Sequence, residues 1–275
     1  MKDKVTRFVF GKTLAKIERF RNIHKGESCY IFGNGPSIKW FDLDLFNDYP
    51  AISCGLIHYH KDFHKLNIKY AVMVEPWIYV PRIIRSMLGV SKLYSSKLYE
   101  TRLLAAEYKN FIKRNLDKEF FLNVSNILSL SGENVNYVFR GFPENRNPAD
   151  KLLSHFNLFP GSFHASLAIA YYLGFSNIYL IGFDAWSIQP TRNIRFYEFG
   201  KGELEHNTPG KDELLEIYKS EANIYTISVN GNSTNVLNID YQDYTNIPAV
   251  YKENHEIVND HYLQMLRGVF ASRDI

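Results

Sequence analysis

The sequence predicts an α/β domain built on a mostly parallel, doubly wound sheet, and three observations carry that expectation. Apolar runs of five or six residues, the length of a strand, recur along the chain. Helical patterns lie between them, as crossover connections in a parallel sheet require. The first run, Cys29-Tyr30-Ile31-Phe32, ends in the bend Gly33-Asn34-Gly35-Pro36-Ser37, at the strand end where an open α/β sheet holds its ligand. The chain has 275 residues, enough for one large domain with a smaller appended lid.

Residues 1–25 are expected to form a basic amphipathic helix. Lys2, Lys4, Arg7, Lys12, Lys16, Arg19, Arg21 and Lys25 alternate there with Val5, Phe8, Leu14, Ile17 and Phe20. Such a helix either lies on an anionic membrane surface or packs on the domain with its basic face in water. Strands are expected near 28–33, 50–54, 69–74, 119–124, 135–139, 177–182 and 223–228. Helices are expected at 99–114, where Leu103, Leu104, Tyr108, Phe111 and Ile112 recur at helical spacing, and at 162–173, which is apolar nearly all round and therefore buried. A third helix starts at the cap pair Thr208-Pro209 and runs to about Ala222. The proline- and asparagine-rich stretch 140–161 reads as an extended connection, and the long aperiodic stretch 185–207 as a lid. The nucleotide-binding domain then comprises 26–184 and 208–275.

Composition narrows the function. Hydrophobic residues make up 45% of a tyrosine- and phenylalanine-rich chain, so it is globular. A net charge of +3 is too weak to make nucleic acid the principal partner. No run approaches the roughly 20 apolar residues of a spanning helix, and the charged start is unlike a signal peptide. The expected compartment is the cytoplasm, with peripheral contact to the inner face of the cytoplasmic membrane through the N-terminal helix. Cys29 and Cys54 lie in strand-like runs and read as buried apolar residues.

Gly33 and Gly35 carry no Cβ, so the main chain there can approach a phosphate or ribose. Pro36 sets a helix-compatible φ, and Ser37 can cap or bond. The bend matches neither G-x-G-x-x-G nor a Walker A loop. Gly161 and Ser162 open the buried helix, whose amino terminus attracts anions, and Asp184 follows the strand after it. Each also has a plainer reading, Ser162 as a cap and Asp184 as a partner for a loop amide. His58, His60 and His64, with Asp62 or Glu75, form the rival metal-binding pattern.

These residues, with the strings Cys29 to Ile38, Ala168 to Gly174 and Ile178 to Asp184, resemble the bacterial sialyltransferases of glycosyltransferase family 42. They also resemble the wider group of DUF115, motility-accessory-factor and hydroxymethylpterin pyrophosphokinase-like proteins. The resemblance implies a variant Rossmann-type fold (GT-A-like) with a lid. It implies transfer of sialic acid or a related nonulosonate from a CMP-activated donor to a cell-surface or lipid-linked glycan, with no metal ion and no cofactor. It places Asn34 and Ser162 at the donor nucleotide, His206 as the general base, and Trp186 or Tyr197 among aromatic lid residues on the donor phosphate. It breaks at Gly55 and Glu75, where the family has donor-binding asparagines. Arg192, Arg195 and Lys201 are further lid candidates for a leaving phosphate.

Two rivals stay open on sequence. One is a magnesium-dependent pyrophosphokinase drawing on Asp42, Asp44, Glu75 and Asp184. The other is a non-catalytic nucleotide-binding scaffold for glycan assembly. A homo-oligomer is compatible with either, and with the leading reading.

Overall fold

The computed structural model describes residues 2–75, 78–81, 98–138, 161–184, 195–202, 213–229 and 236–270. Its centre is an eight-stranded sheet in the order β5-β4-β3-β2-β1-β6-β7-β8. The strands are β1 (Ser28–Phe32), β2 (Ala51–Cys54), β3 (Ile68–Met73), β4 (Glu119–Asn123), β5 (Val135–Val138), β6 (Asn177–Ile181), β7 (Asn223–Ser228) and β8 (Leu237–Asp240). Every pairing is parallel. The chain starts in the middle, winds outward through β2 to β5, then crosses to β6 and winds out the other way. This doubly wound, Rossmann-like sheet agrees with the expected fold class.

Seven strands fall where the sequence places them. The eighth, β8, escaped because an edge strand buries little: Leu237 is 65% exposed, and the four residues carry no apolar run. Strand alternation divides the core between two faces. Cys29, Ile31, Ile52, Val72, Phe121, Ile178 and Leu180 point to one side. Tyr30, Phe32, Ile68, Ile181 and Ile227 point to the other. Both sides are covered, so the central strands read as continuous apolar runs rather than alternating ones.

Three helices form the cover that matters here. Helix α1 (Lys2–Ala15) is kinked at Phe10 and leads into a 3-10 turn, Lys16–Phe20. That turn docks on the sheet: Ile17 and Phe20 are buried, and Arg19 pairs with Glu119 at 2.7 Å. The packed alternative therefore holds for residues 16–20, whereas Phe8, at 91%, stands exposed. Helix α2 (Leu98–Arg114) covers the outer part of the second face, where Tyr108, Phe111 and Ile112 meet Phe120, Leu122 and Val135. Helix α3 (Ser162–Leu173) lies on the first face, and its run of Ala165, Leu167, Ala168, Ile169 and Ala170 is buried throughout. It ends at Gly174, whose φ of +95° only glycine takes easily. Helix α4 (Glu213–Lys219) follows; the cap pair Thr208-Pro209 and the connection 140–160 lie outside the described residues. Among the described residues no helix is long and apolar enough to cross a membrane.

His58 is sealed in the second face, stacked on Phe111 at 4.2 Å and edge-on to Tyr108 and Tyr262. Both of its ring nitrogens are buried without a hydrogen-bond partner, and burial pushes its pKa down to about 3. The unfolded chain takes up this proton near pH 6.5, the folded chain only near 3. His58 therefore leaves stability intact above pH 6.5, and costs up to about 1.4 kcal/mol per pH unit as pH falls below it. The unfolding free energy of the wild type should drop on acidification through this window, and His58→Phe should flatten the slope by about one proton. Denaturant titrations at pH 7, 6, 5 and 4 check this, and parallel slopes for the two proteins would refute it.

Candidate functional site

Where the winding reverses, between β1 and β6, the strand exits diverge, and in open α/β sheets this switch point is the usual ligand crevice. Here the two exits are clasped together. The Gly33 N–H donates to the Ile181 carbonyl at 2.7 Å, and the Gly35 N–H to the Gly182 carbonyl at 2.7 Å. The Ser37 N–H donates to Asp184 Oδ2 at 2.9 Å. A Cβ on Gly33 would come within 3.1 Å of the Phe183 ring, and one on Gly35 would lie 2.7 Å from the Gly182 carbonyl oxygen and overlap the Asp184 carboxyl. The room these glycines leave is thus filled by the protein's own backbone. Asp184 is 2% exposed and serves as the loop-amide partner, tying down the 3-10 turn Pro36–Trp40, with Pro36 in its first position.

Asn34 sits on the outer side of this clasp, half-buried. Its Oδ1 accepts from the Leu56 N–H at 2.9 Å, and its carbonyl accepts from the Phe196 N–H at 3.0 Å. Its amide lies against Gly55, where φ is +101° and any side chain would overlap the Asn34 amide nitrogen. Gly55, which breaks the family resemblance on sequence, is therefore what lets Asn34 reach across the exit of β2.

The opening of α3 borders the same end of the sheet. Gly161 is its N-cap residue, and the Ser162 hydroxyl donates to Glu75 Oε1 at 3.1 Å, two residues beyond the end of β3. One contact joins this opening to the glycine bend: Phe163 packs on Phe183 at 5.0 Å, the ring that lies over Gly33. Cys54, at the end of β2, shares a buried cluster with Ala165 of α3, and burial pushes its thiol pKa up to about 12, so it is inert as a nucleophile. Asn34, Gly55, Glu75 and Ser162 thus form one rim along the exits of β1, β2 and β3. His164, in the first turn of α3, is also buried here. Sequence reading passed over it, although its place two residues after Ser162 was the available signal.

Part of the expected lid is described, and it is a strap fixed to the domain. Phe196 and Tyr197 are buried in the core, and Asn254 Nδ2 donates to the Tyr197 carbonyl at 3.2 Å. Lys39, fully buried, donates to the carbonyls of Glu198, at 2.6 Å, and Gly200. Burial pulls the Lys39 pKa down to about 8. The Arg195 guanidinium lies 5.9 Å from the centre of the Tyr197 ring. His206, Trp186 and Arg192 lie outside the described residues.

Other candidates are dispersed. Asp42 pairs with Lys252, and Asp44 lies 3.6 Å from Lys65. His58 is sealed among rings, His60 Nδ1 accepts from the Asp62 N–H at 3.1 Å, and His64 is exposed. Among the described residues no group of three His, Cys, Asp or Glu stands close enough to hold a metal ion. A cavity of about 410 Å³, lined by Arg21, Lys25, Tyr171, Tyr172, Phe175 and Glu221, lies at the opposite, amino-terminal end of the sheet.

No protein-family model matches the chain, and no curated protein matches it. Distantly similar solved structures include three sialyltransferase chains. The first, a point mutant of the α-2,3/8-sialyltransferase CstII, is 17% identical over 83% of this chain and 93% of that one, with a TM-score of 0.36. The second, CstII from Campylobacter jejuni with the substrate analogue cytidine-5'-monophosphate, is 15% identical over 90% and 98%, TM-score 0.38. The third, CST-II with a trisaccharide acceptor and CMP, is 16% identical over 89% and 99%, TM-score 0.34. The site as described rests on this chain's own geometry.

Two variants test that geometry. Gly35→Ala should destabilise the fold by about 1–3 kcal/mol, because its methyl must displace Asp184 or the Gly182 carbonyl; an unchanged denaturation midpoint would refute the clasp. Lys39→Met removes a charged donor from the Glu198 and Gly200 carbonyls and should cost about 1–3 kcal/mol. It should also speed hydrogen exchange at the Phe196 amide, and unchanged protection there would show that Lys39 does not hold the strap.

Proposed function

We propose that this protein is a glycosyltransferase that takes a sugar from a nucleotide-activated donor, with CMP-linked sialic acid or a related nonulosonate as the donor implied by the sequence resemblance. The observation that supports this reading is the rim itself. Asn34 and Ser162, which the family resemblance places at the donor nucleotide, border the same end of the sheet across the exit of β2. An amide held at a strand end and a hydroxyl held at a helix opening suit the recognition of a nucleoside and its sugar.

In the reaction, an acceptor hydroxyl oxygen attacks the anomeric carbon while the bond from that carbon to the phosphate oxygen breaks. The hydroxyl proton passes to a base, and the nucleotide leaves as its monophosphate. His206 is the proposed base, since an imidazole with a reference pKa near 6.5 is largely neutral at physiological pH. Glu203, Glu205 and Asn207 flank it in sequence and are available to orient the ring. Trp186 and the Arg195–Tyr197 pair are the proposed neighbours of the donor phosphate. In this pair the guanidinium supplies the charge and the Tyr197 ring packs beside it.

The acceptor is a cell-surface or lipid-linked glycan, the reaction needs no metal or cofactor, and the basic N-terminal segment brings the cytoplasmic enzyme to the inner face of the membrane. The pyrophosphokinase alternative gains no support from the fold, because Asp42 and Asp44 face lysines and Asp184 is committed to the clasp.

Purified protein given CMP-nonulosonates and a galactose-terminated acceptor, with chelator present, should transfer the sugar and slowly hydrolyse the donor. His206→Ala should lower transfer by about 100-fold or more while binding CMP as the wild type does. Neither transfer nor hydrolysis across the donor panel would reject the proposal. CMP binding without turnover, indifferent to His206, would favour the scaffold instead.

A further inference from the structure

Among the described residues, the strand-end carboxyl on the rim is Glu75. Its backbone is fixed, with the carbonyl accepting from Asn126 Nδ2 at 3.1 Å, and its Oε1 accepts the Ser162 hydroxyl at 3.1 Å. The other oxygen, Oε2, is enclosed and has no hydrogen-bond partner. A carboxyl oxygen shut away from water with nothing donating to it is costly, and native structures seldom retain one without a use. Asp184, the comparable acid on β6, shows the contrast, since its carboxyl is spent on the Ser37 amide.

The charge of Glu75 is felt across the rim. Burial raises the pKa of the Cys54 thiol on β2 and of the phenols of Tyr79 and Tyr108, and the Glu75 carboxylate adds to each rise. It also occupies the amino terminus of α3, the position whose dipole and free amides would otherwise draw a phosphate or carboxylate from a ligand. An anion brought there meets a like charge, whereas a hydrogen-bond donor meets an acceptor already in place.

We infer that Glu75 is a specificity-determining residue: its Oε2 accepts a hydrogen bond from a hydroxyl or amino group of the bound donor, so that the donor's anionic groups lie away from the opening of α3. The inference rests on the proposed use of this rim as the donor site and adds the polarity with which the donor lies in it. Glu75 itself is partly open to solvent, and its terminal torsion is broad and two-fold, so a modest turn of the carboxyl presents Oε2 to a ligand.

Glu75→Gln keeps the size of the side chain and removes its charge, and a group retained for binding and one retained for folding respond to it in opposite ways. Titration calorimetry with CMP and with CMP-N-acetylneuraminate, beside thermal unfolding without ligand, reads both. The expected result is at least tenfold weaker binding of one or both ligands together with an unfolding midpoint equal to or above that of the wild type. Binding within threefold of wild type for both ligands overturns the inference, and so does a lowered midpoint, which makes Glu75 a structural residue. If the wild type binds none of CMP, UMP, GMP, AMP or CMP-N-acetylneuraminate, the donor reading itself falls and takes this role with it. That outcome is recognisable because it does not involve the variant.

Discussion

The clasp between the exits of β1 and β6 is the constraint on which the remaining architecture depends. Two backbone hydrogen bonds and the Asp184 carboxyl hold the loops together where a doubly wound sheet would let them part. Closing the switch point in this way turns the chain after β1 across the carboxyl edge, with Asn34 facing β2 and the turn Pro36–Trp40 lying on the second face. It also moves the usable rim sideways, from the gap between β1 and β6 to the exits of β1, β2 and β3.

Around that rim, each glycine serves a neighbouring backbone or amide. Gly55 makes way for Asn34, and Gly33 and Gly35 make way for the β6 exit. The polar groups then fall into two kinds. Asp184 and Lys39 are consumed by internal contacts, the first fixing the turn and the second fixing the strap at 198–200. Glu75 and Ser162 are only partly consumed, satisfying one another through a single hydrogen bond. A rigid frame carrying a few unspent polar groups is the arrangement that gives a binding site its precision.

Burial sets the chemistry of the titratable groups more than charge pairing does. His58 is kept neutral by the rings around it, Lys39 is drawn down by enclosure, and the Cys54 thiol is raised out of reach of reaction. Two of the chemistries the sequence leaves open are metal binding at the His58-His60-His64 pattern, whose rings part, and magnesium binding at Asp42 and Asp44, which face lysines. A spacing of two or four residues does not bring ligands together when a 3-10 turn sends one ring into the core and leaves another in water.

The sequence alone determined the sheet and its winding. Seven strands and the buried helix Ser162–Leu173 announce themselves because residues covered on both faces must be apolar without interruption, a local property that survives in one dimension. It also marked Asn34 and Ser162 as candidates, since glycine-bounded bends and helix openings are signalled by the residues that form them. Only the tertiary structure decided what the glycines are for, that Asp184 is spent, that Gly55 belongs to Asn34, and that Glu75 faces Ser162 with one oxygen unanswered. Those facts are contacts between residues 22, 87 and 147 positions apart. Whether a polar side chain is satisfied or left over depends on which distant neighbour the fold delivers to it, and no local pattern encodes that.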